Sequence, residues 1–571
     1  MPDLMRGRSD DPLPWVLTAR DPDELRARAR ALRERVAASP PEALAALATA
    51  TAEEASPLPQ RAVVFAGGQD ELLRGLEGLE RGTAGDNVVS GRARDNARVA
   101  FVFSPLRSEY VGMGLGLLDR YETFAAQIKA CEEALAPFVE WSLEDVLHNR
   151  EGTPPFRRLD VCQIVLFAMS FSLAELWRSF GVRPDAMLGH SVGEISAVAA
   201  CGGLSLPDAA RLAACWGHSS VRMEGAGAMA SLPLSAEQVL RRIEPWNGRL
   251  ALSGLNTPNW TNISGENEAL ESLLAQLAEE GVTGRLMGIE IPGHTAAMAP
   301  VHEWFLDELA TISPRSGTVP LFSSAEGKQV DTTRLDAHYW SRNPRQPVLF
   351  ETAIRALRDA AYDVFVEIGP RPILTAAIKE ILAAEDGAIA VGGWEQGEAS
   401  QFPLQLAEAY VSGVAVDWGA VCRDRRDGKA PDLGSREPAI AQRLAELPEA
   451  RREPLLLELV QREVANVLGL SSPSAVDPKR AFKDLGSDSA AAVELRNRLN
   501  RATGLSLGTT VAFDHPTPLA MARKLRLELE GGEATPSPTP ASNAVDVATE
   551  QALRDIDALD IAALVERAQS L

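Results

Sequence analysis

The residues that could do chemistry in this chain are two serines in unusual settings and a few histidines. Ser191 lies in GHSVGE (189–194), directly after the apolar run Ala186-Met187-Leu188. G-x-S-x-G between a strand and a helix is the pattern of a nucleophile elbow. Its glycines permit a sharp turn that exposes the serine Oγ at a helix N-terminus. The next N–H, that of Val192, then faces a developing oxyanion. The same five letters also fit a tight turn with a buried serine. A hydroxyl needs a base to become nucleophilic near neutral pH, so the histidines decide between the two readings. His190 adjoins Ser191, and neighbours on an elbow point apart. His218 falls on the helix after the elbow helix. His302 and His338 have no glycine-shaped setting, and His148 and His515 read as loop residues. His294, in IPGHTAAM, is the remaining candidate.

The elements around these residues follow from apolar periodicity. LPWVL followed by DPDELRARARALRERVAA reads as strand and helix, as does RAVVFAGG followed by QDELLRGLEGL. From about residue 100 to Trp394, short apolar strands alternate with long helices, the pattern of an α/β domain. CQIVLFAMSFSLAELW (162–177) carries Gln163 and Glu175 and is too short to span a bilayer, so a buried helix is expected. Within 228–290 the order is strand, helix, strand, strand, helix, strand, which is ferredoxin-like. His294 follows its last strand, where the chain re-enters the larger domain and a side chain can reach the cleft between them.

After the turn-rich DGKAPDLGSREP (427–438), a compact helical unit begins. Pro454 is expected to open a helix with Leu456, Val460, Val464 and Val467 on one face, closed by Gly469. The second serine, Ser489, lies in FKDLGSDSAAAVELRNRLNRATG (482–504). It would start a helix with Ala492, Leu495, Leu499 and Ala502 inward, ended by Gly504. A phosphodiester there would sit at the helix's positive end. GGEATPSPTPAS (531–542) reads as a linker, and the acidic VATEQALRDIDALDIAALVERAQSL as helical.

Composition sets the class. The chain has 571 residues, 45% hydrophobic and 24% charged, enough for several globular domains. A formal charge of −22 excludes a nucleic-acid binder of the basic-patch kind. There is no P-loop and no G-x-G-x-x-G after a strand. Five scattered cysteines without a C-x-x-C pair argue for a reducing, cytoplasmic setting and against structural zinc, so no metal is expected. No apolar signal-peptide core opens the chain, and no membrane partner is expected.

These motifs together resemble the acyltransferase domain of modular type I polyketide synthases. GHSVGE matches that family's nucleophile motif, and Gln163 in VCQIVLFAM its active-site glutamine. NTPNWTNISG, YWSRNPRQPVLF and FVEIGPRPIL match its later motifs. PWVLTARDPDELRARARALRERV resembles the preceding linker and LAEAYVSGVAVDW (406–418) the following one. GSDS resembles the phosphopantetheine site of acyl carrier proteins, and VAFDHPTPLAMARKL their last helix region. Here Ala490 replaces the usual leucine after the serine.

The resemblance implies a domain plan: 1–99 an N-terminal αβ linker domain, 100–395 an α/β-hydrolase-like acyltransferase domain with a ferredoxin-like insert at about 228–292, and 396–450 a second linker. A helical-bundle carrier domain (451–530), a flexible linker (531–545) and C-terminal docking helices (546–571) follow. It implies Ser191 as nucleophile and His294 as base, in a dyad whose histidine is oriented by a backbone carbonyl near Asn256. The oxyanion donors would be the N–H groups of Leu106 and Val192. Ser489 would carry 4′-phosphopantetheine, attached by a phosphopantetheinyl transferase. The expected reaction moves an acyl group from acyl-CoA through acyl-Ser191 to that carrier, for a downstream synthase subunit reached through the tail. Met1 stands a few residues before LPWVL, so a stand-alone loading module is expected. A serine hydrolase is the rival enzyme reading, and a carrier scaffold the non-enzymatic one.

Departures from the family pattern bear on the acyl group. Extender-loading members hold the malonyl carboxylate with an arginine on the helix after the elbow. In ARLAACWGHSSVRM the aligned residue is Trp216, with Arg211 and Arg222 nearby. A carboxylate facing tryptophan would be desolvated without a partner. Ile291-Pro292-Gly293-His294 has Gly293 where Phe or Ser is usual, leaving room for a branched or cyclic group. The family's G-Q-G-S-Q loop reads Pro105-Leu106-Arg107-Ser108-Glu109. Arg107 is then solvated, on the pantetheine phosphates, or on the remote carboxylate of a larger diacid. A bulky starter without a malonate-type carboxylate is the expectation; a larger diacid or an extender-type malonyl or methylmalonyl group is the alternative.

Overall fold

The computed structural model describes residues 12–423 except 84, 86, 384–387 and 393–400, then 449–468, 476–482, 495–496, 499, 503, 505, 507 and 511–529. Ser489, the 531–545 linker and the 546–571 tail lie outside the described residues. The chain divides into two compact units, Met1–Pro431 and Asp432–Leu571.

In the first unit, β1 (Leu13–Ala19), β2 (Gln60–Ala66) and β3 (Val88–Arg92) form an antiparallel sheet in that order. The helix Pro22–Ala37 covers it. That helix starts where Asp21 accepts from the Glu24 N–H at 2.8 Å, with proline in its first turn.

β4 (Val99–Phe103) and β5 (Ala186–Gly189) open the central sheet. β6 (Ala228–Leu232), β7 (Leu250–Thr257), β8 (Trp260–Gly265) and β9 (Arg285–Leu286) build the insert. β10 (Leu321–Ser323) and β11 (Lys328–Val330) return to the central sheet. β12 (Val348–Leu349) joins the insert, and β13 (Val364–Ile368) and β14 (Ile389–Val391) complete the centre. The central order is β11-β10-β5-β4-β13-β14, parallel except for β11. β4 and β13 are buried along their whole length, as strands covered on both faces must be. The insert order β12-β7-β8-β6-β9 is ferredoxin-like with one added edge strand. GRLMGIEI gives only the two-residue β9, shorter than the strand expected there.

The apolar run around Gln163 is the helix Leu159–Ser179, packed inside the unit. Trp177 meets Phe101 of β4 edge-on at 6.4 Å. Small residues let two further helices approach it. These are the elbow helix Gly193–Ala200 and the helix Leu206–Arg222, which is capped by Ser205 and carries proline in its first turn.

Among the described residues of the second unit, a helix runs Glu449–Leu468. It begins before Pro454, correcting the expectation that Pro454 opens it: Pro454 is the sixth residue, inside the helix, where it lacks the N–H that would bond four residues back. Leu456, Val460, Val464, Leu495, Leu499, Met521 and Leu525 form a common core.

Candidate active site

The elbow is dictated by crowding. A Cβ on Gly189 would lie 2.2 Å from the Glu194 Cα, and one on Gly193 would lie 2.5 Å from the Phe103 carbonyl oxygen. Only glycine lets β5 turn into its helix against β4. Ser191 takes φ +55°, a left-handed conformation that costs a non-glycine residue about 1–3 kcal/mol. Neighbouring hydrogen bonds hold it there. The Ser191 N–H donates to Ser324 Oγ at 3.3 Å, and Ser324 donates through Oγ and N to Glu194 Oε2, both at 3.2 Å. The Tyr339 hydroxyl donates to the other Glu194 oxygen. Glu194 is fully buried, and burial raises its carboxyl to about 7 against those donors.

Ser191 Oγ and His294 Nε2 are 2.6 Å apart. His294 Nδ1 faces the Gln346 carbonyl oxygen at 3.1 Å, which assigns the proton to Nδ1 and leaves Nε2 as the acceptor. Its own N–H donates to the Pro344 carbonyl at 2.7 Å. The orienting carbonyl is therefore Gln346, not one near Asn256 as the resemblance implied. Asn256 is engaged elsewhere: its Oδ1 is 2.8 Å from His190 Nε2. Burial lowers both His294 and His190 to about 4, so both rings are neutral near pH 7.

A cavity of about 370 Å³ opens over this pair. Leu106, Arg107, Gln163, Trp216, Ile291 and Gly293 line it. Gln163 Oε1 accepts from Ser220 Oγ at 3.0 Å. Trp216 is buried, its ring centroid 6.4 Å from that of His294 and edge-on to Phe305 at 6.0 Å. Arg211 lies over Phe138 and Arg222 over Trp304, and neither belongs to the cavity wall. Pro292 does not face the cavity either. It packs toward Gly227, its Cβ 3.1 Å from where a Cβ on that glycine would stand, at a bend that precedes the turn at Gly293 and His294. The space beside Gly293 is bounded by Met229 Sδ, 3.3 Å from where a Cβ would stand. Arg107 has φ +79° and is exposed; its N–H donates to Glu109 Oε2 at 2.6 Å. Val192 caps the elbow helix, whose first N–H groups, those of Gly193, Glu194 and Ile195, donate to the carbonyls of His190, Ser191 and Val192 at 3.0, 2.9 and 3.1 Å.

A serine hydroxyl on a neutral histidine, at a helix N-terminus and under a cavity, can take up and release an acyl group. Residues 100–416 match the family model for the acyl transferase domain. The chain belongs to the acyltransferase family. Residues 458–525 match the model for the phosphopantetheine attachment site, so the acyltransferase is followed by a region that carries covalent 4′-phosphopantetheine. Polyketide synthase GfsA of Streptomyces halstedii is 41% identical over 72% of this chain, and the match spans 6% of that protein. The spectinabilin polyketide synthase protein NorC of Streptomyces orinoci is 37% identical over 82% of this chain and 22% of its own length. The chain thus spans a small part of the curated relatives it matches. Among solved structures, the acyltransferase domain from module 8 of the salinomycin synthase superposes with a TM-score of 0.69 at 38% identity, covering 72% of this chain and 98% of that one. A loading acyltransferase from the avermectin modular polyketide synthase gives 0.53 at 39%, covering 55% and 99%.

Glu194, Ser324, Tyr339 and Gln346 were not singled out from the sequence. Glu194 ends the GHSVGE motif and could have been read there. Its partners lie 130 and 145 residues away.

Proposed function

We propose that this acyltransferase loads a starter acyl group without a malonate-type carboxylate from acyl-CoA and hands it to the carrier region of its own chain. The observation that carries this reading is Trp216, buried against His294 where the resemblance places the carboxylate-binding arginine. Arg211 and Arg222 are turned to other aromatic rings, so neither pairs with a malonyl carboxylate beside Trp216. The cations that line the cavity are Arg107 and Arg285, and the reading takes neither to hold a carboxylate at Trp216.

The chemistry follows from the dyad. Ser191 Oγ attacks the thioester carbonyl while His294 Nε2 accepts its proton. The Gln346 carbonyl, bonded to Nδ1–H, steadies the imidazolium. The Val192 and Leu106 N–H groups hold the oxyanion, each such donor being worth about 10²–10³ in rate. The C–S bond then breaks, and His294 returns the proton to the leaving CoA thiol. Ser489 would hold the phosphopantetheine, which would supply a thiol to receive the acyl group. In that second half His294 Nε2 takes the proton of the incoming thiol and gives it back to Ser191 Oγ. A flexible linker between the two would give the acceptor an effective concentration up to about millimolar.

The buried histidine sets one part of the pH dependence. Its lowered pKa means that the basic form is lost only as pH falls through about 4. Protonation of His294 is therefore expected to reduce acylation of Ser191, followed by rapid-quench mass measurement, only below about pH 5, while a change near pH 7 would belong to the buried Glu194 carboxyl and should vanish in Glu194→Gln. A midpoint at the ordinary histidine value of about 6.5 that persists in Glu194→Gln would contradict the burial argument.

Incubating the phosphopantetheinylated protein with a single acyl-CoA separates the reaction classes. Acyl group on Ser489 is the expected result. Free acid would make the chain a hydrolase, and unchanged acyl-CoA a carrier scaffold.

A further inference from the structure

Glu194, in the first turn of the elbow helix, is fully buried, and no lysine, arginine or histidine pairs with it among the described residues. Burying a charge without a counterion is costly, so a carboxyl group three residues from the nucleophile calls for a role.

Backbone N–H groups can only donate, and they fix the protons around it. Those of Ala325 and Glu326 both donate to Ser323 Oγ at 3.0 Å and fill its two lone pairs. The Ser323 proton therefore points to Tyr339 Oη, 2.6 Å away, and the Tyr339 proton to Glu194 Oε1. On the other side, the Ser191 N–H donates to Ser324 Oγ at 3.3 Å. The Ser324 hydroxyl and N–H both donate to Glu194 Oε2 at 3.2 Å. Glu194 thus receives three donors, and none of these partners is left to accept a proton from it. The arrangement is complete only when Glu194 is a carboxylate.

β10 delivers Ser324 to this place. Ser323 pairs with Gly189 in the parallel register of β10 and β5, so the next residue falls beside the elbow. Ser191 needs such a hold, because from φ +55° its Oγ must stand 2.6 Å from His294 Nε2. The other ionisable groups nearby keep their form near neutral pH. Burial pushes the Tyr339 hydroxyl well above its ordinary range, so it stays a donor. Burial also raises the Cys162 and Cys215 thiols, on the two helices packed against the elbow helix, and keeps His190 and His294 neutral.

We propose that Glu194 and Ser324 are positioning residues for the nucleophile: the Glu194 carboxylate aims the Ser324 hydroxyl, and Ser324 holds the Ser191 backbone in the turn that puts Oγ on His294. A proton on Glu194 displaces one of its three donors and loosens that hold. The inference rests on the mechanism in which Ser191 is acylated.

The test measures the rate constant for modification of Ser191 at saturating isobutyryl-CoA. A parallel measurement uses a fluorophosphonate, which phosphonylates an activated serine with loss of fluoride and needs no CoA. The full chain is compared as wild type, Ser324→Ala and Glu194→Gln, from about pH 8 to about pH 6. Amplitude reads the folded fraction and the rate constant reads positioning, so partial misfolding does not imitate the effect. Ser324→Ala is expected to lower the rate constant about tenfold or more, with half-saturation shifted by less than about threefold, because a displaced nucleophile costs rate rather than binding. Glu194→Gln brings an N–H donor into the same place. It should be slowed by about fivefold or more near pH 8 and stay level across the range, while the wild type declines toward it as pH falls through about 7. A rate constant within about threefold of wild type in either variant near pH 8 would overturn the proposal, as would a loss carried wholly by half-saturation. A wild-type rate that is level across the range would overturn the role given to the Glu194 charge. Phosphonylation with the expected pattern, while isobutyryl-CoA leaves Ser191 unmodified, would overturn the starter reading and uphold the positioning.

Discussion

Ser191→Ala is expected to abolish self-loading while leaving Ser489 open to phosphopantetheinylation. Ser489→Ala should do the reverse: acyl-Ser191 still forms, and no carrier product follows. The first effect should be large because, in the proposed mechanism, Oγ is the atom that bonds the acyl carbon. Its removal leaves His294 Nε2, 2.6 Å away in the wild type, with no hydroxyl to activate. Only the cavity and the oxyanion donors remain, and a site so reduced typically loses about 10⁴–10⁶ in rate. Intact-mass measurement of each variant after exposure to acyl-CoA reads both results. Self-loading of Ser191→Ala at the wild-type rate would remove Ser191 from the mechanism.

Trp216→Arg carries the second large effect. It places a guanidinium beside His294 in a buried wall now closed by Trp216 and Phe305. With a malonyl or methylmalonyl group bound, that charge finds a carboxylate and can pair bidentately. With the carboxyl-free starter it faces an apolar group and stays unpaired, which costs several kcal/mol, or on the order of a hundredfold in kcat/KM. The ratio of dicarboxylic to carboxyl-free loading should therefore rise by at least about tenfold, mostly through loss of the original substrate. Shape limits the gain, because the arginine meets a wall fitted to an indole. An unchanged ratio would mean that residue 216 does not read the acyl group.

Part of this site is legible in the sequence and part is not, for physical reasons. Local geometry leaves local marks. Steric crowding at Gly189 and Gly193 writes G-x-S-x-G, and the re-entry of the chain after the insert singles out His294. The alternation of strands and helices gives the α/β class and the order of the insert. What depends on distant backbone leaves no mark. The carbonyl that orients His294 belongs to Gln346, 52 residues on, and any residue type offers a carbonyl. Asn256 has the position of a site residue in the sequence, yet its side chain serves His190. Pro292 stands between Ile291 and Gly293 in the sequence, yet the bend there sets it against Gly227 and outside the cavity wall.

The selection proposed here, of a starter without a malonate-type carboxylate, is made by the cavity wall at Trp216. The direct measurement is competition: the wild-type protein is given malonyl-CoA, methylmalonyl-CoA and branched and alicyclic acyl-CoA thioesters at equal concentrations, and the mass on Ser191 is read at early times. A carboxyl-free acyl group dominating the acyl-enzyme is the predicted result. Malonyl or methylmalonyl on Ser191 at a rate equal to any bulky thioester would contradict it.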